Sequence, residues 1–221
     1  MLRFFLMIIA AVGLAASATA AKSPLELNWL DLVPKLPPLV DPLEAIGPEQ
    51  RIELESVLWV RQLSDADRKE YPEAVEEAET YEREFAKRGF SVDKLIDDYA
   101  RWSLEQTKRQ ALVRKSLNGK MIRMKGYLLP IAFSEDGVRD FLLVPYVGAC
   151  IHVPAPPPNQ IVYVRLKEKL IITDLFTAVD ITGKLSTKAS LRNLALSDGE
   201  ADVPVGYQLT ATNYTVIPET Y

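Results

Sequence analysis

Cysteine and histidine are almost absent from this chain, which has one of each, Cys150 and His152. A single thiol cannot close an internal disulfide, so the fold must be held by packing. No cysteine stands directly after the N-terminal apolar run, which excludes lipid attachment at a lipobox. No later stretch is long and apolar enough for the roughly 20 residues that a spanning helix needs. An excess of positive charge is also missing: 26 Lys and Arg face 30 Asp and Glu, for a net charge of −4. Nucleic-acid binders want a basic patch or stripe, and no polybasic cluster offers adhesion to anionic lipid. There is no internal repeat.

What is present begins with MLRFFLMIIAAVGLAASATA. Arg3 precedes an apolar run from Phe4 to Ala16, and Ala18-Thr19-Ala20 supplies the small-residue pattern of a signal peptidase site. Residues 1–20 are therefore expected to be a signal peptide, cleaved near Ala20 or Ala21, leaving a periplasmic protein with no stable membrane insertion. Residues 21–48 carry Pro34, Pro37, Pro38, Pro42 and Pro48 among Leu, Val and Trp29. Proline lacks an N–H and restricts its predecessor, so no long helix forms there. An extended arm lying on another surface and a loose linker are both consistent with that pattern.

Residues 49–117 read as helical. IELESVLWVRQL has helical apolar spacing, and Ser64 begins a break with an N-cap. YPEAVEEAETYEREFAKRGF ends in a basic turn and Gly89. Ser91 then caps a run reaching Leu117, with Leu95, Tyr99 and Trp102 on one face. At Asn118-Gly119 the period falls to two. The strands expected over residues 118–221 are MIRMKGYLLPIAF, VRDFLLVPYV, CIHV, NQIVYVRL, FTAVDITGKLSTKASL and YQLTATNYTVI, with SDGEADVPVG as a turn. The predicted fold is α+β: a helical segment followed by a small antiparallel barrel of the oligonucleotide/oligosaccharide-binding (OB) type, with a sandwich as the alternative.

Cys150 and His152 stand two apart. On a strand they would share a face, bringing thiol and imidazole side by side. Such a pair suits Zn²⁺ or Cu⁺, or a thiol activated by its neighbour. Two ligands do not close a tetrahedral site, so carboxylates, water or a partner chain must supply the rest; Asp140, Asp174 and Asp180 are the nearest carboxylates in the barrel. The prolines from Pro154 to Pro158 stiffen the chain just beyond His152, and the amides of Asn159 and Gln160 could orient an imidazole. The plain alternative is a buried, inert thiol beside a satisfied histidine. Two other functions fit the residues: a non-catalytic interaction module presenting Pro154 to Pro158 and the arm to a transporter subunit, and a Cys-dependent enzyme with His152 as base. The enzyme ranks last, because no oxyanion element or second general acid is visible.

The run FLLVPYVGACIHVPAPPPNQIVYV, preceded by GKMIRMKGYLLPIAF, resembles a bacterial family known as domain of unknown function 3299, over about Asn118 to the C-terminus. That resemblance implies an exported protein, an association with envelope transport systems, and a zinc-related role for Cys150 and His152. Members that are lipoproteins have a lipobox, which this chain lacks.

Overall fold

The structure, a computed structural model, describes residues 23–131, 136–148, 155–172, 177–196 and 199–218. Four α-helices follow the arm: α1 Pro48–Gln62, α2 Asp65–Glu70, α3 Pro72–Lys87 and α4 Val92–Ala111. Pro48 and Pro72 sit in first turns, where the missing N–H costs nothing. Ser64 and Ser91 accept hydrogen bonds from the N–H groups of Asp67 and Lys94, capping α2 and α4. α1, α3 and α4 bury Leu54, Val57, Val60, Ala78, Phe85, Val92 and Leu95 in a core of their own. Arg61 ties the three together, bonding Glu82 at 2.8 Å and Asp93 at 2.5 Å. The last helix is shorter than its periodicity predicts. It ends at Ala111, and a separate 3₁₀ turn occupies Lys115–Leu117.

The strands are β1 Leu25–Glu26, β2 Met121–Pro130, β3 Val138–Val144, β4 Val162–Leu170, β5 Ala178–Ser186, β6 Ser190–Leu196, β7 Gly199–Val205 and β8 Tyr207–Val216. Hydrogen-bonded neighbours run β2-β3-β4-β8-β5, and β5 pairs back to β2, closing a five-stranded barrel. Numbered among themselves, these five follow the order 1-2-3-5-4, an OB-like arrangement. The barrel is mixed: β4 and β8 run parallel, and every other pairing around it is antiparallel. Tight turns in the sequence report only pairings between consecutive strands, so a parallel contact between strands more than thirty residues apart left no local sign. β7 is a second departure. Its Gly, Asp and Pro204 read as a turn, yet it pairs with β6 in a two-stranded ribbon, whose edge tolerates proline. No helix among the described residues is long and apolar enough to cross a membrane.

Alternation places Ile122, Met124 and Leu128 of β2 inside the barrel with Phe141, Leu143, Val162, Val164, Ile181, Leu185 and Leu209. The run Phe141–Val144 is buried without interruption, because its two faces are both covered. Phe141 and Leu143 face the interior. Leu142 and Val144 face outward, where Tyr163, Leu194, Val203 and Val205 cover them, so the β6–β7 hairpin lies over the outer side of β3 and β4. The arm docks too: β1 adds to β2 in parallel, and Leu32 enters the barrel core.

Candidate functional site

Cys150, His152 and Asp174 lie outside the described residues. Upstream of Cys150, β3 ends at Val144 and leads into exposed Tyr146 and Val147. Downstream, Pro158–Gln160 forms a 3₁₀ turn. The Pro158 carbonyl accepts the Gly206 N–H at 2.7 Å, and a Cβ at Gly206 would lie 2.7 Å from that oxygen, so β8 and the turn meet backbone to backbone. Asn159 is fully buried and donates Nδ2–H to the Arg109 carbonyl at the end of α4, 3.2 Å away. A carbonyl only accepts, which fixes the amide's orientation; its Oδ1 has no partner among the described residues. Pro158 and Asn159 are thus clamped between α4 and the start of β8.

Two carboxylates named from the sequence are already held by arginines. Asp180 receives both Nε–H and Nη–H of Arg123, at 2.9 and 2.8 Å. Asp140 accepts the Tyr163 hydroxyl at 2.6 Å and Arg165 Nε–H at 2.7 Å on one oxygen. Among the described residues no three His, Cys, Asp or Glu side chains gather as a metal would require.

The second of these pairs belongs to a cluster that pattern reading missed. Asp140 and Arg165 face each other across β3 and β4, and Tyr163 shares their outward face. Arg165 Nη2 also donates to the Tyr163 hydroxyl at 2.8 Å. From the hairpin, Arg192 lays its guanidinium over the Tyr163 ring, 3.8 Å from the centroid. A contact of this kind contributes about 0.5–2 kcal/mol, the more so when desolvated. Burial alone would push the Asp140 carboxyl up, but hydrogen bonds from Arg165 and Tyr163 and the nearby Arg139 charge hold it below the usual carboxylate range. The Tyr163 phenol is pushed above its ordinary value, by burial first and then by its bond to Asp140. The alternation Tyr163-x-Arg165 was a visible signal for a shared outward face. Arg192 was not recoverable, because its approach depends on where the hairpin folds. Chemically, the cluster holds a fixed surplus of guanidinium over carboxylate at a buried aromatic ring.

Comparison with curated proteins gives no match. Among solved structures the chain is similar to the crystal structure of a DUF3299 family protein from Pseudomonas aeruginosa, at 22% identity and a TM-score of 0.46, with 90% of this chain and 99% of that one covered. A family model described as Protein of unknown function (DUF3299) matches residues 29–216. That span runs from Trp29 in the arm, through all four helices, to the last residue of β8, and the chain belongs to this family.

Proposed function

We propose that the protein is exported to the bacterial periplasm and serves there as a non-enzymatic accessory of an envelope transport system, taking up a transition metal, zinc first, through Cys150 and His152. One observation carries this reading: the chain's only thiol and only imidazole stand two residues apart. Thiolate and neutral imidazole are the donors zinc prefers. The segment after them is anchored by Pro158 and Asn159, which limits the freedom lost on binding. Asp140 and Asp180 are engaged by Arg165 and Arg123, so the remaining ligands come from Asp174, water or a partner protein. A site completed by a partner favours transfer from protein to protein over storage.

The test is a Zn²⁺ titration of the purified protein under reducing conditions, followed by competition with a chromogenic chelator. One equivalent should bind with a Kd of ~1 µM or tighter, and Cys150→Ala or His152→Ala should each weaken it at least about tenfold. Binding that is weaker than this, or that survives both substitutions unchanged, removes the proposal.

A further inference from the structure

The outer face of β3 and β4 carries charge opposite in sign to the rest of the molecule. The guanidiniums of Arg165 and Arg192 both lie over the ring of Tyr163, and the single carboxylate of Asp140, bonded by Arg165, also feels the charge of Arg139, in a chain whose net charge is −4. Arg165 spends Nε–H on Asp140 and one terminal nitrogen on Tyr163. Arg139 gives Nε–H to the Leu166 carbonyl, at 3.2 Å, and forms no ion pair among the described residues. Arg192 has no ion-pair partner among them either, and its Nε is sealed from solvent without an acceptor. Lys167, two positions beyond Arg165, extends the positive charge along the same outward face. A half-buried guanidinium stacked on a ring keeps its planar fork pre-ordered, and that fork matches the oxygens of a carboxylate or phosphate.

Position reinforces chemistry. In OB-type barrels the second and third strands, together with the loop joining the last two, form the surface on which ligands lodge. Here those strands are β3 and β4, and the β6–β7 hairpin is the excursion between β5 and β8. Asp140, Tyr163 and Arg165 come from the strands, and Arg192, opposite Val203 in the ribbon, comes from the hairpin. We propose that this face is an oxyanion site: Arg192 and Arg165 grip the carboxylate or phosphate group of an acidic saccharide, with Tyr163 as the platform between strand and hairpin. Asp140 fixes Arg165 in place and does not touch the ligand. The inference is independent of any metal at Cys150 and His152, and shares no residue with it.

Glucose 6-phosphate, glucuronate and glucose distinguish the possibilities when titrated into the purified protein by calorimetry and thermal melting. At least one acidic sugar should bind in the millimolar range or tighter and raise the melting temperature, while glucose does neither. Preference for the phosphorylated sugar identifies a phosphate ester as the natural group; preference for glucuronate identifies a uronic acid. Arg192→Lys keeps a cation over the ring but loses the fork, and should weaken binding about five- to tenfold with little change in melting temperature. Arg192→Gln should abolish it, and Arg88→Gln, just past the end of α3 and far along the chain, should leave it intact. The proposal fails if neither acidic sugar binds ahead of glucose, or if Arg192→Lys binds as tightly as the unaltered protein. Should both Arg192 variants unfold, the unaltered protein still decides: binding that does not weaken as sodium chloride is raised is not held by guanidinium charge.

Discussion

Tyr207 is where three separate parts of the chain converge. Its ring is fully buried at the start of β8. Its hydroxyl donates to the Leu32 carbonyl of the arm at 2.5 Å and accepts the Arg114 N–H, beyond the end of α4, at 2.6 Å. Tyr207→Phe keeps the ring but strands a buried N–H and a buried carbonyl, which should cost about 1–3 kcal/mol, seen as a lower urea midpoint at neutral pH. Burial holds the phenol's pKa above its ordinary value, so the folded chain keeps this proton to a higher pH than the unfolded one. The hydroxyl's contribution is then complete below the unfolded value near ~10 and is lost as pH rises through the folded one, and the gap between the two proteins should narrow in alkali. A variant with an unchanged midpoint at neutral pH would mean that water replaces both bonds. Nothing local foretells these partners. Tyr207 reads as the first residue of a strand, and it is one, but its acceptor lies 175 positions away. Arg192 on Tyr163 illustrates the same limit, whereas Cys150 and His152 stand out because they are the only residues of their kinds.

Among elements, the arm shows how proline punctuation is turned to use. Asn28 and Asp31 cap the Trp29–Leu32 turn reciprocally, each side chain accepting the other's backbone N–H. That turn delivers Leu32 into the barrel core and sets Trp29 against Gly126, where a Cβ would come within 2.7 Å of the indole. Arg114 and Arg109 then bond the carbonyls of Asp31 and Pro37. Leu32→Ala removes a fully buried side chain that belongs to the barrel by packing, and should lower stability by about 2–5 kcal/mol in urea. Cleavage by trypsin after Lys35 should quicken in parallel; an arm that becomes protease-sensitive with no loss of barrel stability would show it to be an ornament. Helix starts were legible because Pro48, Ser64 and Ser91 act locally. The end of α4 was not: helical periodicity runs on to Leu117, but the chain leaves the helix at Ala111, and Arg114 bonds Tyr207 and the arm. Tertiary contact there overrides propensity. β7 was obscured for the opposite reason, since its poor strand formers are stabilised by pairing with β6 and packing on the barrel wall.

At the scale of the whole molecule, the hydrophobic core among the helices shares no buried residue with the core inside the barrel or with the cluster between the barrel wall and the hairpin. Polar links between them include Asn159 to the end of α4, Arg109 to Pro37 and Arg114 to Tyr207. Hydrogen bonds of this kind contribute about 0.5–1.5 kcal/mol each, far less than either core contributes by burial. Weakening one core should therefore separate the two unfolding events. Phe85 is fully buried among the helices, and Phe85→Ala should cost that layer about 3–5 kcal/mol. With Trp59 and Trp102 replaced by Phe, Trp29 is left as the only indole and reports on the barrel side. Circular dichroism in the far ultraviolet, dominated by the helices, should then fall at lower urea than Trp29 fluorescence changes. Coincident transitions in this variant would instead mean that the links at Asn159 and Tyr207 bind helices and barrel into one cooperative unit, so that a ligand on the barrel's outer face would stabilise the helices as much as the strands.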